Sequence, residues 1–325
     1  MAKVLEGLAF LAVDPTVHRM CQVIGAMVSG LVVVGMLCTS DVKGRRNWLP
    51  DCKLNSCKRN WEVFSLTYGV FWITCFAIII GGELYESFDR EHYMIVCGGL
   101  ATPLLLQPIL LPSITGESDV PLFERYSLKA NLWIFIFGFI GNYWYTHYFY
   151  NVLEAHYSMP SWDLNGVPIP MYLATHFYFC FYHVLSNLAL RKAYSTFSPG
   201  AMRRLFVISL VLIMSYATAF MESLTISGFP CYGFKDRDLA YTLGSAFYGI
   251  YFIVSFPMFL RLDESPPKKW DLFTVAVEAL ASGMAVLMLL DIVRVYMGID
   301  LNIRLNRPCK LNAAFTCKPF NFKTC

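Results

Sequence analysis

Charged residues are scarce in this chain of 325 residues. They make up 15% of the sequence, whereas apolar residues make up 56% and the mean hydropathy is +0.49. Typical soluble domains contain about 25% charged residues, so this composition excludes an ordinary soluble domain of the same length. The net charge of +3 is too small to indicate a surface that binds nucleic acid. No long polar segment is left over for a soluble catalytic domain.

The cysteine pattern excludes another class of site. Eleven cysteines occur, but no pair of Cys-x-x-Cys clusters is present, so we predict no zinc site and no other metal site. Cys309, Cys317 and Cys325 lie in the tail, where they could form a disulfide if the tail faces the lumen.

Long apolar segments dominate the sequence. A membrane-spanning helix needs about 20 mostly apolar residues, because each backbone N–H and C=O must be paired within the segment. Eight segments qualify: Cys21–Cys38, Val63–Gly82, Met94–Ile114, Leu128–Tyr150, Pro170–Leu190, Leu205–Ser227, Tyr241–Leu260 and Phe273–Met297. We therefore predict an all-α, polytopic transmembrane helical bundle in a lipid bilayer.

The predicted bundle has seven core helices and an extra N-terminal helix. Residues 1–47 form the predicted N-terminal extension with its membrane anchor, which could instead be a cleaved signal. Residues 48–297 form the seven-helix domain, and residues 298–325 form the cysteine-containing tail. Every second loop is basic, starting with the loop from Thr39 to Trp61, so we expect these loops to face the cytoplasm. The loop acids Asp236, Asp263, Glu264 and Asp271 are expected to form salt bridges or helix caps.

Ionisable residues inside the apolar segments point to a functional site. Such groups are costly in a bilayer and usually face a cavity or a partner. If the helices alternate in direction, His147, His176, Glu222 and Glu86 all fall near one side of the membrane. This placement depends only on alternation, and not on which side is the lumen.

Helical spacing places several polar and aromatic residues on common faces. Residues at intervals of three or four share one face of a helix. One such stripe contains Tyr172, His176, Phe179, His183 and Asn187, and another contains Tyr143, His147 and Tyr150. A plainer interpretation remains for each polar residue, above all for Asn131, Asn142 and Asn187, because side-chain hydrogen bonds between helices also hold membrane bundles together.

Long strings of the sequence carry a specific resemblance. They include ERYSLKANLWIFIFGFIGNYWYTHYFYNVL (124–153), PSWDLNGVP (160–168), THFYFCFYHVLSNLALR (175–191), FPCYGFKDR (229–237) and FYGIYFIVSFPMFLRLDE (247–264). The chain closely resembles the cycloeucalenol cycloisomerase family, the cyclopropyl sterol isomerases of plants. The resemblance spans about residues 48–294 and leaves out the N-terminal extension and the tail. Glu83 departs from the family, in which a basic residue is expected at that position.

The resemblance implies an isomerase of sterol biosynthesis in the endoplasmic reticulum membrane. It opens the 9β,19-cyclopropane ring of cycloeucalenol to give the Δ8 sterol obtusifoliol, by protonation at C19 and proton loss from C8. The reaction is not a redox reaction, so we expect no cofactor, and we expect no obligatory protein partner. A cyclopropane is a weak base, so the site needs a strong acid held away from water and a second group that accepts a proton.

We assign site residues to this chemistry as hypotheses. Glu222 is the expected acid, His147 the base or proton relay, and Glu86 a second candidate acid. The residues expected to bind the sterol are Tyr143, Trp144, Tyr148, Tyr172, His176, Phe177, His183, Asn142 and Asn187. Ring faces among them are expected to stabilise the carbocation, and Asn142 or Asn187 to bind the 3β-hydroxyl.

A heptahelical sterol-binding receptor or transporter without catalysis is the rival interpretation. A retinal-binding receptor needs a lysine in the last helix, and Phe273–Leu290 contains none. Transporters often have internal repeats with broken helices, and none are visible in this sequence. A sterol double-bond isomerase that acts on a substrate without a cyclopropane is a second enzymatic alternative.

Overall fold

The computed structural model describes residues 14–41, 44, 46–227, 229, 231–265 and 268–298. Within these ranges it contains eight long helices, which agree with the predicted all-α bundle of seven core helices and an N-terminal helix. They are α1 (Pro15–Leu37), α2 (Ser56–Gly81), α3 (Arg90–Leu110), α4 (Tyr126–Asn151), α5 (Ile169–Thr196), α6 (Ala201–Ser227), α7 (Arg237–Leu260) and α8 (Leu272–Tyr296). The cysteines of the tail lie outside the described residues.

Six of the helices are long and apolar enough to cross a membrane by length and composition. They are α1, α2, α3, α6, α7 and α8. The remaining two, α4 and α5, carry most of the histidines, asparagines and tyrosines singled out in the sequence, which lower their hydropathy. Both lie inside the bundle, where α4 packs against α8 and α5, and α5 packs against α3 and α7.

Side-chain caps fix the start of several helices. The Asp14 carboxylate accepts hydrogen bonds from the backbone N–H groups of Thr16 and Val17 at the start of α1. Asp271 accepts from Thr274 N at the start of α8, and Asp236 accepts from Leu239 N at the start of α7. Such caps satisfy N–H groups that have no partner within the helix. The expectation that Asp236 and Asp271 are capping groups is therefore confirmed.

Helices α2 and α5 are among those that extend further than their apolar segments predict. Helix α2 begins at Ser56 instead of Val63, and α5 continues to Thr196 instead of Leu190. The extra turns contain charged residues, which hydropathy alone assigns to loops. They remain helical at the interior of the bundle because their charges are paired with one another.

These charges form a cluster at the end of the bundle where the basic loops lie, hereafter the basic end. The cluster, here named the polar clamp, comprises Lys58, Glu62, Asn187, Arg191 and Glu264. Arg191 bonds Glu62 Oε1 at 2.8 Å and Glu264 Oε1 at 2.6 Å, and Lys58 Nζ lies 2.7 Å from Glu264 Oε2. The clamp joins α2, α5 and the α7–α8 loop.

A second ion pair at the basic end joins α4 to the same loop. Lys129 Nζ lies 2.8 Å from Asp263 Oδ2, and both side chains are buried. The expected salt-bridge role of Asp263 and Glu264 is therefore confirmed.

The opposite end of the bundle contains two small antiparallel sheets that the sequence analysis did not predict. Strand β1 (Ala155–Tyr157) pairs with β4 (Tyr232–Phe234), with His156 opposite Gly233. Strands β2 (Asp163–Leu164) and β3 (Val167–Pro168) form a hairpin. Because β1 follows α4 and β4 follows α6, the pairing places the ends of these two helices on the same side, as alternation of the helices predicts.

Candidate active site

A cavity of about 90 Å³ lies between α4, α5, α6 and α7, and is closed in part by β1 and β4. It is hereafter the Glu222 cavity. The polar side chains among the described lining residues are Asn142, Tyr145, Tyr157, Thr175, Glu222, Ser223, Tyr232, Tyr248 and Tyr251. The cavity lies toward the end opposite to the polar clamp, because Glu222 is close to the last residue of α6, Ser227.

Glu222 is the one carboxyl group among the described residues that line this cavity, and no Lys, Arg or His shares the lining. The side chain is half-buried. The Tyr248 phenol donates a hydrogen bond to Glu222 Oε2 at 3.0 Å, and the Tyr182 phenol lies close enough to interact with the same carboxyl group. The cavity therefore presents one acid that is held by phenols and has no counter-cation in the lining.

Three tyrosine rings form an aromatic cluster beside this acid. The ring centroids of Tyr145 and Tyr248 are 5.8 Å apart, and Tyr251 lies 5.7 Å from each of them. Tyr251 is fixed in place because its hydroxyl donates to the Gly141 carbonyl at 3.1 Å. Aromatic faces attract a cation within about 6 Å, so this cluster suits a reaction in which positive charge develops on a hydrocarbon.

Two further tyrosines close the cavity from the sheet between β1 and β4. Burial raises the pKa of Tyr157 well above 10, and the neighbouring phenols and Glu222 add to the shift. Burial likewise raises the pKa of Tyr232 well above 10, with added contributions from Tyr157 and Glu222. Both phenols therefore stay neutral at physiological pH.

Of the predicted site residues, Glu222 and Asn142 line the cavity. Asn142 Nδ2 donates to the Gly138 carbonyl at 2.9 Å, and Asn142 Oδ1 accepts from Thr175 Oγ1 at 3.3 Å. These bonds leave the asparagine on the cavity wall, where it remains a candidate for binding a hydroxyl group.

The two histidines of the α5 stripe lie in the packed interior. His176 is buried, and its Nε2 is 2.8 Å from Asn131 Oδ1 on α4. His183 is also buried, and its Nε2 is 2.9 Å from Ser255 Oγ on α7. Neither lines the Glu222 cavity, and both join α5 to a neighbouring helix, which is the plainer interpretation left open by the sequence.

Phe177 and Asn187 also lie in the interior and outside the cavity lining. The Phe177 ring is 5.3 Å from that of Trp72 on α2. Asn187 Nδ2 donates to Glu62 Oε1 at 3.0 Å as part of the polar clamp. Asn187 therefore lies at the basic end, whereas the predicted acid Glu222 lies toward the opposite end of the bundle.

His147 and two of its neighbours lie on a different face of α4 from the cavity. His147 is half-buried, and its ring centroid is 5.5 Å from that of Trp144, which is 45% exposed. Tyr143 stacks on Phe139 with a centroid distance of 5.9 Å. The structure thus separates these residues from the face of α4 that carries Asn142 and Tyr145.

The last three predicted residues also lie outside the cavity lining. Tyr148 is buried, and its ring lies 6.0 Å from that of Phe247. The Tyr172 hydroxyl donates to the Leu164 carbonyl at 2.9 Å, which ties α5 to β2. Glu86 is exposed on the short helix Leu84–Ser87, between α2 and α3.

The sequence analysis missed Tyr145, Tyr248 and Tyr251. Helical spacing carried a signal for them, since Tyr248 and Tyr251 are three residues apart in α7, and Asn142 and Tyr145 are three apart in α4. On α4, however, a competing stripe through Tyr143 and His147 was equally regular. Spacing defines the faces of a helix, but only packing decides which face borders a cavity.

Within the described ranges, no group of three or more His, Cys, Asp or Glu side chains is arranged to hold a metal ion.

Comparison with known proteins identifies the family. No protein-family model matches the chain. No solved structure matches it either. Cycloeucalenol cycloisomerase from Arabidopsis thaliana is 44% identical over 249 residues, which cover 75% of this chain and 88% of that protein. This chain therefore belongs to the cycloeucalenol cycloisomerase family and is an isomerase.

Proposed function

We propose that this protein opens the 9β,19-cyclopropane ring of cycloeucalenol and releases obtusifoliol, a step of sterol biosynthesis. Two observations support the proposal. The chain is 44% identical to a protein named for this activity, and the described residues of its cavity combine a single carboxyl group with a cluster of aromatic rings. Protonation of a strained hydrocarbon requires an acid that donates the proton, and aromatic faces beside it stabilise the cation that forms.

In the proposed reaction, Glu222 donates its proton to C19. The C9–C19 bond breaks as the C19–H bond forms, which leaves a carbocation at C9. A carboxyl group in an apolar site without a neighbouring cation retains its proton more readily than one in water. The lining around Glu222 has this character, and the hydrogen bond from Tyr248 orients the carboxyl group.

Loss of the C8 proton completes the isomerisation. The C8–H electron pair becomes the C8–C9 double bond, so atoms and electrons balance without a redox cofactor. We propose that the Glu222 carboxylate, once ionised, accepts this proton, because C8 and C19 are both bonded to C9 and one carboxyl group can reach both. His147 is the alternative acceptor and would need a relay, since it lies outside the lining.

The aromatic cluster is proposed to stabilise the cation between these two transfers. Tyr145, Tyr248 and Tyr251 present ring faces within the same cavity as the acid. A desolvated cation over an aromatic face gains about 2 kcal/mol or more, which corresponds to more than tenfold in rate if the gain is confined to the transition state.

To test this reaction, membranes that carry this chain are incubated with cycloeucalenol in D₂O. The sterols are then analysed by mass spectrometry. We expect obtusifoliol with deuterium in the new C19 methyl group, and no conversion by membranes that lack the chain. Unchanged cycloeucalenol in the presence of folded protein would overturn the proposed substrate, and other cyclopropyl sterols would then be compared in the same assay.

We also propose that the protein resides in the endoplasmic reticulum membrane. The apolar helices require a bilayer, and the sterol substrate is itself a membrane lipid. Colocalisation of a tagged full-length chain with a marker of the endoplasmic reticulum tests this location. Residence in another membrane would contradict it without affecting the proposed reaction.

A further inference from the structure

A second cavity lies beside the Glu222 cavity, at the same end of the bundle. It has a volume of about 120 Å³ and lies between α2, α3, α5 and α6. Its walls include Phe76, Val96 and Ala174, and no charged side chain is found among the described residues that line it. It is hereafter the apolar cavity. The hydroxyl groups of the described lining come from Thr225, Tyr85, Tyr93, Tyr178 and Tyr232, and its other side chains are apolar. A wall that is mainly apolar favours a ligand that is mainly hydrocarbon.

The two cavities share a wall. Met171 on α5, Ile226 on α6 and Tyr232 on β4 line both of them. The Tyr232 hydroxyl donates to Met171 Sδ at 2.8 Å, so these two side chains are in direct contact. Methionine has three rotatable side-chain bonds and adapts readily to its surroundings. The wall is therefore a partition made of side chains, and Met171 is its most adaptable member.

Neither cavity is large enough for a whole sterol. Sites for ligands of this size usually enclose roughly 300 Å³ or more, whereas these cavities enclose about 90 and 120 Å³. A sterol in the Glu222 cavity must therefore extend into neighbouring space. The apolar cavity is adjacent, and only the partition separates the two.

We propose that the two cavities are the halves of one sterol site, in which the apolar cavity takes the hydrocarbon side chain at C17. This inference rests on the proposed function. The sterol side chain displaces the contact between Met171 and Tyr232 as it passes from one half to the other.

The arrangement of polar groups fixes the direction of the sterol. Glu222 lies four residues before Ile226 on α6, which places the acid about 6 Å along the helix from the partition. Asn142 lies on α4, and none of the described side chains of α4 lines the apolar cavity. A sterol with its 3-hydroxyl at Asn142 and its rings at Glu222 thus directs its alkyl side chain toward the partition.

The substitution Ala174→Leu tests this assignment, because Ala174 lines the apolar cavity and does not line the Glu222 cavity. Turnover is measured with cycloeucalenol and with an analogue that keeps the cyclopropane ring system but lacks the C17 side chain. We expect kcat/KM for cycloeucalenol to fall by about tenfold or more, whereas kcat/KM for the truncated analogue changes by less than about twofold. Equal losses for both substrates, or no loss for either, would overturn the inference.

Ala281→Leu is the matched control, since Ala281 is exposed on α8 and lines neither cavity. It should leave the ratio of the two kcat/KM values unchanged. Failure of the proposed function is distinguishable, because the unsubstituted protein would then convert neither sterol.

A binding measurement covers the case in which Ala174→Leu does not fold. A cyclopropyl sterol with a diazirine at the end of its side chain is photolysed in membranes that contain the unsubstituted chain, and the labelled peptides are sequenced. We expect label in the segment from Tyr85 to Cys97, which borders the apolar cavity. Label confined to α4 or to residues 248–251 of α7 would place the side chain in the other half and overturn the inference.

Discussion

Glu222 and Glu62 show how the same residue type takes different roles at the two ends of the bundle. Glu222 faces a cavity that contains phenols and no cation among its described lining residues. Asn187 instead donates to Glu62, whose carboxylate is also bound by Arg191. A carboxyl group without a cation in its cavity is free to transfer a proton, whereas one held by a guanidinium group is fixed as a structural anion.

Replacement of Glu222 by glutamine should remove turnover while the protein stays folded. The amide keeps the shape of the side chain but has no acidic proton, so we expect a loss in kcat of about 10²- to 10⁴-fold or more. Sterol conversion by purified protein provides the measurement, and thermal unfolding checks the fold.

Glu86→Gln is the comparison, because Glu86 is the second candidate acid and lies exposed between α2 and α3. We expect this variant to remain active. An inactive Glu86→Gln beside an active Glu222→Gln would move the acid to Glu86.

The two asparagines should separate into a structural one and a binding one. Asn187→Leu removes a donor from the buried Glu62 carboxylate, so we expect a loss of about 1–3 kcal/mol in the free energy of unfolding with KM unchanged. Asn142→Leu alters the cavity wall, so KM should rise while the melting temperature changes little. The two measurements are thermal unfolding and sterol turnover, and a raised KM for Asn187→Leu alone would return it to the binding site.

At the scale of elements, helices approach each other closely where glycine is the residue at the contact. Gly69 on α2 is buried, and a Cβ atom there would lie 2.2 Å from Cδ2 of Phe181 on α5. Gly283 on α8 meets Ile140 on α4 in the same way, at 2.9 Å. Small residues at such contacts let helices pack in a membrane, where dispersion forces replace the hydrophobic effect.

Gly69→Ala should therefore destabilise the bundle by about 1–3 kcal/mol, because the added methyl group forces α2 away from α5 or displaces the Phe181 ring. Gly99→Ala is the matched control in α3, where a Cβ atom would meet no other atom within 4 Å. It should stabilise its helix by about 0.5–1 kcal/mol, since alanine loses less conformational entropy than glycine. Unfolding in detergent titrated with denaturant measures both, and a neutral Gly69→Ala would show that the contact is loose.

The polar clamp is an element-scale device that holds α2, α5 and the α7–α8 loop together. Burial by itself would raise the pKa of Glu264, but hydrogen bonds from Arg191 and the charge of Lys58 outweigh it, so the pKa lies below the usual 4.5. A carboxyl group whose pKa is lowered by folding contributes stability that is complete above its unfolded pKa and is lost as the pH falls through the folded value.

The stability difference between the unsubstituted protein and Glu264→Gln should therefore be largest near neutral pH and shrink below pH 4.5. Thermal unfolding across this pH range measures it. Glu278→Gln is the control, because Glu278 pairs with the exposed Arg261 at the same end, and such surface pairs contribute roughly 0–1 kcal/mol. A pH-independent difference for Glu264→Gln would show that its charge does not act in the clamp.

At the scale of the whole molecule, the bundle has two chemically different ends. The basic end holds the polar clamp, whereas the opposite end holds both cavities and the small sheets. Basic loops favour the cytoplasmic side, so we expect the cavities to open toward the lumenal leaflet.

Cysteine labelling of sealed microsomes tests this orientation. Cys52 is exposed in the connection between α1 and α2, and we expect a membrane-impermeant maleimide to label it from outside. In a Cys52→Ser background, Asp163→Cys places an exposed thiol on β2 at the other end, and we expect it to react only after permeabilisation. The reverse labelling pattern would show that the topology is inverted, and it would leave the description of both cavities unchanged.

The sequence by itself determined the helical architecture and singled out Glu222. Segments of about 20 apolar residues have one stable form in a bilayer, because their backbone groups must pair internally. A glutamate within such a segment is costly, and this cost makes it conspicuous. Long matching strings also identified the family, because identity at consecutive positions depends on no tertiary contact.

Only the tertiary structure decided which polar residues share a cavity. His176, His183 and Asn187 are as regularly spaced as Tyr248 and Tyr251, yet the histidines and Asn187 pack in the interior while the tyrosines surround the acid. Periodicity fixes which residues lie on one face of a helix, but rotation of each helix against its neighbours decides what that face meets. The partition formed by Met171 and Tyr232 likewise joins residues 61 positions apart, and their contact exists only after the helices and the sheet have assembled.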